Sequence, residues 1–387
     1  MKQSEEQVAS VQLENKNKVP TIILYLVKDL LLYYGIAFLF FFVVFFVNQI
    51  LLMVQDVLKQ KVPIVDVFKL IFYSLPFVIS QSAPFATLVG FLVCFGRMIT
   101  DNEILVLRAL GFSYIRILVP VLIVGTVISC LSFVVNDILM PKGTIEYNRL
   151  YRKMLVSNPG VALESNSVKR LKNSVLVIGN VDGTNVSDLL YFDIDKYGNV
   201  RIITAEDSVV LQPPDPAVLM QIQMNSAIIF LPASTGVNDL DYVTTDSTVL
   251  NVLASDFGDF APNGVNPREM TVHDLKQYIK KLRSDPSISA AYVNIFDVEY
   301  YRKYALPFSA IFFALLAMPL AFVFGKHNGQ TVGFIIGVLI CVVYWALQTL
   351  GQIFGQKNGL NAFWAMWIPD IVLGVFSVPF YIRMLRT

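Results

Sequence analysis

Residues 31–54 read LLYYGIAFLFFFVVFFVNQILLMV, twenty-four positions without an Asp, Glu, Lys or Arg. A helix that crosses a bilayer needs about 20 mostly apolar residues. This stretch therefore reads as a membrane span, preceded by an amphipathic stretch from Thr21 to Leu30. Two more apolar runs follow closely, about Val67–Phe95, with Pro76 and Pro84 inside it, and about Ile115–Leu139. Three others close the chain, about Tyr304–Phe324, Thr331–Leu350 and Phe363–Met384. Between the two groups lies a polar segment from about Pro141 to Tyr300. The expected fold is thus membrane α-helical, with six transmembrane helices split three and three by an inserted extramembrane domain. The expected boundaries are residues 1–140, 141–300 and 301–387. A plain soluble enzyme is excluded.

Composition agrees. The 387 residues are 55% hydrophobic and 15% charged, against roughly 25% charged in an ordinary soluble domain. The net charge of +1 offers no bulk basic field for nucleic acid. Cys94, Cys130 and Cys341 all lie in apolar runs without a C-x-x-C spacing, as expected of small buried hydrophobes. His273 and His327 are the only histidines, too few for a histidine-rich metal site. Residues Met1–Lys18 are polar and lack the apolar core and cleavage site of a signal peptide. They read as a cytoplasmic tail before an uncleaved first span.

Orientation follows from the basic residues of the short loops. One side holds Lys16, Lys18, Lys28, Arg97, Arg108, Arg116, Lys326, Arg383 and Arg386; the other holds Lys59, Lys61 and Lys357. The richer side is the cytoplasmic one, so both termini are inside and the inserted domain outside. That domain reads as β. Runs at 174–178, 188–195, 200–211, 218–231 and 241–253 are rich in Val, Ile and Leu. Turn clusters separate them: Asp182-Gly183, Tyr197-Gly198-Asn199, Pro213-Pro214-Asp215-Pro216 and Ala233-Ser234-Thr235-Gly236. Such spacing predicts an antiparallel sandwich or open barrel. In Val218–Leu231 the in–out alternation is clear only in the first half. Met270–Leu282 then has helical period, with Thr271 as its cap and Asp274 in a capping-box position.

The loop between the second and third spans reads GRMITDNEILVLRALGFS over Gly96–Ser113. Asp101–Leu110 fits a short amphipathic helix with Gly111 as its C-cap. Ile104, Leu107 and Leu110 recur at spacing three and predict a shared apolar face. Glu103 lies one position from that face, and Arg108 is five further on. Such a helix suits a transporter that receives force from a motor subunit, where Glu103 would pair with an arginine. It equally suits a solvated helix resting on lipid headgroups. No G-x-x-x-x-G-K-[ST] phosphate-binding loop exists, since Gly325-Lys326 is followed by His327 and lacks the upstream glycine. Any ATP work must come from a partner, and no catalytic constellation is visible.

Polar groups inside or beside the spans are the remaining candidates, because they are costly in lipid and commonly face a bundle interior or cavity. Asn48 and Gln49 lie in the first span, with interhelical hydrogen bonding as their other reading. Lys142, Arg149, Arg152 and Lys153 follow the third span, where Lys142–Arg149 and Arg149–Lys153 can share helical faces. Each charge there would add about 1 kcal/mol to the attraction of an anionic lipid surface; a solvated juxtamembrane helix is the plainer alternative. Pro76 and Pro84 predict a kinked second span. Asp370, after Pro369, has Arg302 or a backbone amide as candidate partners.

In this layout the chain resembles the LptF/LptG family, the lipopolysaccharide export permeases. The resemblance rests on the Gly96–Ser113 loop, on Tyr25-Leu26-Val27-Lys28-Asp29-Leu30 before the first span, on Tyr301-Arg302-Lys303-Tyr304-Ala305-Leu306-Pro307 entering the fourth, and on Trp367-Ile368-Pro369-Asp370 in the sixth. It covers nearly the whole chain after about Pro20. The chain departs from the family in having Asp370 where Asn is usual. It also has no Lys or Arg in the first span before Lys59. The resemblance implies a periplasmic β-jellyroll-like inserted domain and a bacterial inner-membrane location. Arg97, Asp101, Glu103, Arg108 and Gly111 would form the ATPase-coupling helix. Asn48, Gln49, Lys142, Arg149 and Arg152 would line or border a substrate cavity.

It further implies a cytoplasmic ABC ATPase dimer, a second six-span permease subunit, periplasmic jellyroll bridge proteins and a lipid cargo, with ATP bound only by the partner. Two rivals stand beside it. A mechanotransmission permease acting on lipoproteins usually has four spans and one long periplasmic domain, which the three-and-three split argues against. A membrane-anchored β-domain sensor or scaffold would need no coupling-type loop or kinked spans.

Overall fold

The structure is a computed structural model that describes residues 2–57, 64–157, 165–170, 174–194, 200–211, 218–232, 240–253, 266–286, 288–324, 329–357 and 359–386. Lys59, Lys61 and Lys326 lie outside the described residues, as do the turn clusters at 197–199, 213–216 and 233–236. Helices α1 (Lys2–Val57), α2 (Ile64–Thr100), α3 (Glu103–Ala109), α4 (Tyr114–Val134) and α5 (Met140–Ser157) come first. Strands β1 (Ser167–Arg170), β2 (Ser174–Ile178), β3 (Val181–Asp182), β4 (Asn185–Ile194), β5 (Val200–Leu211), β6 (Val218–Pro232) and β7 (Leu240–Leu253) follow. Helices α6 (Val272–Ser284), α7 (Ala290–Phe324), α8 (Gly329–Lys357) and α9 (Ala362–Arg386) complete the chain. Six segments are long and apolar enough to cross a membrane: Thr21–Met53, Ile64–Thr100, Tyr114–Tyr151, Ala290–Phe324, Gly329–Lys357 and Ala362–Met384.

The chain divides into two compact units. The first comprises Met1–Ile50, Ser74–Gly143 and Met270–Thr387; the second comprises Leu51–Tyr73 and Thr144–Glu269. In the first unit α2 and α7 are the most enclosed spans, while α1, α8 and α9 present broad apolar faces outward. Phe85, Phe91, Phe95, Phe313 and Tyr344 are at most 2% exposed and fill the bundle centre. Phe85 stacks on Phe45 and meets Tyr344 edge-on, with ring centroids 5.6 and 6.0 Å apart, geometries favoured by the ring quadrupole. α2 runs through Pro76 and Pro84 as one helix, as proline is tolerated in spans where neighbours re-satisfy the freed backbone groups.

Glycine sets a close contact between α2 and α8. Gly329, Gly333 and Gly337 recur every fourth residue and so share one face of α8. A Cβ on Gly333 would lie 3.0 Å from the Leu92 carbonyl oxygen of α2, and Gly96 and Gly329 would each press a Cβ into the other's backbone. Small residues let helix backbones approach where no hydrophobic force exists between helices in lipid.

Buried polar side chains also join the helices of the bundle. After α4 the helix loosens into a π-helical turn, Val135–Leu139. Asn136 there is 4% exposed. It accepts from Ser80 Oγ of α2 at 3.1 Å and donates to the Lys303 carbonyl of α7 at 3.0 Å. Lys303 is 1% exposed, its Nζ 3.4 Å from the Asn136 carbonyl and 3.9 Å from Asp137 Oδ1. Asp137 also accepts the backbone N–H of Val272 at 2.6 Å, where α6 begins. Thr271 caps α6 as expected, accepting from Asp274 N and donating to its carboxylate. Leu275, Ile279 and Leu282 bury one face of α6. The Asp370 carboxylate, fully buried in α9, accepts from the Tyr344 hydroxyl at 3.0 Å. The expected partner Arg302 instead pairs with Glu299 at 3.3 Å, one helical turn away on α7.

In the second unit the strands form one antiparallel sheet in the order β1-β2-β4-β5-β6-β7, with β3 paired to β4 through a tight hairpin. Gly183 turns that hairpin at φ +62°, a conformation glycine adopts without strain. Leu176, Leu189, Ile222 and Met224 are fully buried within its core. In the same unit, Met53, Leu70, Tyr147 and Tyr151 build a small helical core from the ends of α1, α2 and α5.

The half-kept alternation of β6 has a geometric cause. Met220, Ile222 and Met224 are buried, then Ala227, so the buried parity changes at Ser226, which sits at φ +50°. Parity changes likewise between Val186 and Leu189 on β4, around Asp188 at φ +56°, and between Ala205 and Ser208 on β5. The flanking pairings hold their register while Asp188, Glu206, Ser226 and Asp246 drop out of the ladders. A crease thus crosses four strands in one line. Putting a β-branched side chain at such a φ is strained. Ser226→Val is expected to lower stability by about 1–3 kcal/mol, and Ser226→Gly to preserve or raise it. Thermal unfolding of the detergent-purified chain measures both.

Candidate functional site

The site lies in the first unit, at the ends of α1 and α2 where α3 packs. α2 stops because Asn102 turns left-handed at φ 60°, the conformation that Asn tolerates best after glycine. α3 therefore begins at Glu103, two residues later than expected, and Asp101 stands in the turn. The C-cap is as expected: Gly111 adopts φ +85°, its N–H bonding the Arg108 carbonyl at 2.9 Å while Phe112 N–H reaches Leu107 O at 3.0 Å. Ser113 then caps α4 by accepting from Arg116 N.

The expected apolar face is only partly formed. Ile104 is 3% exposed and Leu107 packs on the bundle core, but Leu110 is 66% exposed. Leu110 occupies the C-cap, where the chain is already leaving the helix toward Gly111. Leu105 and Val106 are also exposed, so α3 shows solvent an apolar outer side. Arg108 lies 3.9 Å over the Tyr114 ring, a cation–π contact that ties α3 to the start of α4.

Arg97, in the last turn of α2, gathers the charged residues. Its Nη2 donates to Glu103 Oε1 at 2.8 Å and to the Tyr25 hydroxyl at 2.8 Å. Its Nη1 stands 3.2 Å from Asp29 Oδ2 and its Nε 3.3 Å from Asp101 Oδ2. Those last two contacts lack hydrogen-bond alignment and act through charge alone. The Tyr25 hydroxyl lies 3.2 Å from both Glu103 oxygens, and the Tyr33 ring centroid is 5.9 Å from the guanidinium. Glu103 is thus held inside its own chain, with its side chain 27% exposed. Sequence reading paired it only with an external arginine. The signal for the internal partner was the i,i+6 spacing of Arg97 and Glu103 across a helix break, which no helical periodicity registers.

Next to this cluster is a cavity of about 530 Å3, lined by Ile22, Leu26, Met98, Val106, Leu107 and Ile117. Glu103, Asp101 and Arg116 border it. The other expected site residues lie elsewhere. Asn48 is exposed on α1 and Gln49 half-buried, and neither side chain bonds another described residue. Lys142 is exposed near the start of α5. Arg149 is exposed and pairs with Glu146 at 2.9 Å. The Arg152 side chain lies outside the described residues.

Beyond the Arg97 cluster, sequence reading missed three further features: the Asn136–Lys303 junction, the Tyr344–Asp370 bond and the α2–α8 glycine contact. Only the last had a local signal, the Gly329, Gly333, Gly337 repeat.

Six spanning-length helices, an antiparallel sheet and a braced interspan helix fit a polytopic membrane permease. Residues 24–383 match the model of the family described as lipopolysaccharide export system permease LptF/LptG. The chain belongs to that family. It is similar to the lipopolysaccharide export system permease protein LptF of Escherichia coli strain K12, 23% identical over 359 residues, covering 91% of this chain and 92% of the relative. It is also similar to LptG of Haemophilus influenzae, 23% identical over 295 residues, covering 75% and 78%.

Proposed function

We propose that this chain is one of two six-span permease subunits of an ABC-type exporter that withdraws lipopolysaccharide, or a related glycolipid, from the bacterial inner membrane. The observation that carries the reading is the family match across 24–383 together with an interspan helix locked to the bundle by Arg97. α3 is the helix on which a cytoplasmic ABC ATPase dimer pushes. Its exposed Leu105, Val106 and Leu110 offer apolar contact, and Glu103 has room to accept from an arginine of the motor. The chain is not itself the enzyme; ATP is bound and hydrolysed by the partner.

Both termini lie in the cytoplasm and the sheet lies in the periplasm, supported by the loop-charge asymmetry. The outward apolar faces of α1, α8 and α9 suit a second permease subunit. Between the two subunits the cargo enters sideways, past Asn48 and Gln49, its headgroup near Lys142, Arg149 and Arg152. The sheet acts as a jellyroll-like groove that hands acyl chains to periplasmic bridge proteins, supported by its unjoined outer strands β1 and β7 among the described residues.

Affinity purification of the chain from native membranes, followed by mass spectrometry of proteins and lipids, tests this. Recovery of a P-loop ATPase, a second six-span subunit and a glycolipid is the expected result. Recovery with soluble periplasmic partners and no ATPase would instead establish an anchored sensor or scaffold.

A further inference from the structure

We infer that Arg97 is the positioning residue through which a push on α3 reaches the first and second spans; this rests on the reading of α3 as the ATPase-docking helix. The backbone cannot carry that push by itself. Asn102 at φ 60° breaks the helix between α2 and α3, and no helical hydrogen-bond ladder continues across it. Side chains must bridge the break, and the charged bridge is one guanidinium, with the Tyr25 hydroxyl beside it 3.2 Å from both Glu103 oxygens.

Arg97 belongs to α2, Glu103 to α3, and Tyr25, Asp29 and Tyr33 to α1. All three elements meet on the same fork of N–H groups, which is planar and always charged. Charge balance makes the bridge specific. Asp29, Asp101 and Glu103 surround a single cation. Without it, three carboxylates would share a partly buried spot, and like charges at that range repel. Arg97 thus decides whether α1, α2 and α3 move as one body. It also aims Glu103, whose Oε1 it holds at 2.8 Å. A lysine has the charge but only one ammonium centre, and cannot span Glu103, Asp29 and Asp101 together.

The test uses the complete complex in proteoliposomes: this chain, the second permease subunit and the ATPase. ATP hydrolysis and ATP-dependent release of purified lipopolysaccharide are measured together. In Arg97→Lys, lipopolysaccharide released per ATP is expected to fall about tenfold while hydrolysis continues. Asp29→Asn keeps the Arg97–Glu103 bond and the Tyr25 and Tyr33 contacts, and removes only the charged tether to the first span. It is expected to leave ATPase retention unchanged and lower release per ATP several-fold.

Native release per ATP in both variants would overturn the inference. So would reduced recovery of the complex with native release per ATP in what is recovered, the mark of a purely structural role. Failure of the underlying reading is separately visible in the unmodified chain, as no ATPase retained or no ATP-dependent release, and would overturn both.

Discussion

Glu103→Ala is expected to abolish ATP-driven lipid release while the chain still inserts in the membrane. The substitution removes three contacts at once: the 2.8 Å bond from Arg97 and both approaches of the Tyr25 hydroxyl. Arg97 keeps Asp29 and Asp101, so its charge stays compensated and the bundle core, built from Phe91, Phe95 and Phe313, is untouched. What is lost is the polar link from α3 to the first two spans, together with the acceptor proposed for the motor, while Ile104, Leu107 and the Arg108–Tyr114 contact remain. Truncating one partner of a hydrogen-bonded charge pair at an interface costs at least about 2 kcal/mol, or roughly thirtyfold in affinity. ATPase retention on the solubilised chain should fall by that order, and release should fall further because the surviving contact no longer moves α1. Glu103→Gln keeps an acceptor oxygen and should sit between the two. Wild-type release by the folded alanine variant would sink the assignment of α3 as the coupling element.

Gly96→Ala is expected to prevent accumulation of the mature protein. The added methyl would be driven into the backbone of Gly329, at a separation real Cβ atoms do not show. Neither backbone can yield cheaply, since Gly333 and Gly337 hold the next turns of α8 against Leu92 and Val89. Overpacking of this kind costs about 1–3 kcal/mol and sometimes more, and here it also displaces the neighbouring Arg97. Gly35→Ala is the control. Nothing lies within 4 Å of its Cβ position, and alanine is favoured over glycine within a helix by about 1 kcal/mol. Membrane abundance and melting temperature of the two variants, compared side by side, should separate them clearly. Equal behaviour would show that α2 and α8 do not meet as described.

Much of the fold was legible because hydropathy and turn chemistry act locally. Each span announces itself within about 20 residues, and the caps at Thr271, Ser113 and Gly111 depend on residues no more than five positions away. Even the irregular half of β6 was visible as a lost alternation. The reason, a crease at Asp188, Glu206, Ser226 and Asp246 in one line, needed four strands laid side by side. The loop between the second and third spans was legible as a helix, but its face was misjudged at Leu110, because periodicity does not know where the helix ends.

The sequence by itself determined that this is a membrane protein with six spans in two groups and a β-rich insertion, and it marked the loop around Glu103 as the place to look. Those conclusions rest on composition along the chain, which no packing can alter. Only the tertiary structure decided which partners the charged residues take. Arg97 meets Asp29 across 68 positions of sequence, Asn136 meets Lys303 across 167, and Tyr344 rather than Arg302 meets Asp370. A buried polar group needs a partner wherever the fold can bring one. Choosing among distant candidates is a matter of helix rotation and approach, which the glycine contacts of α2 and α8 help to set.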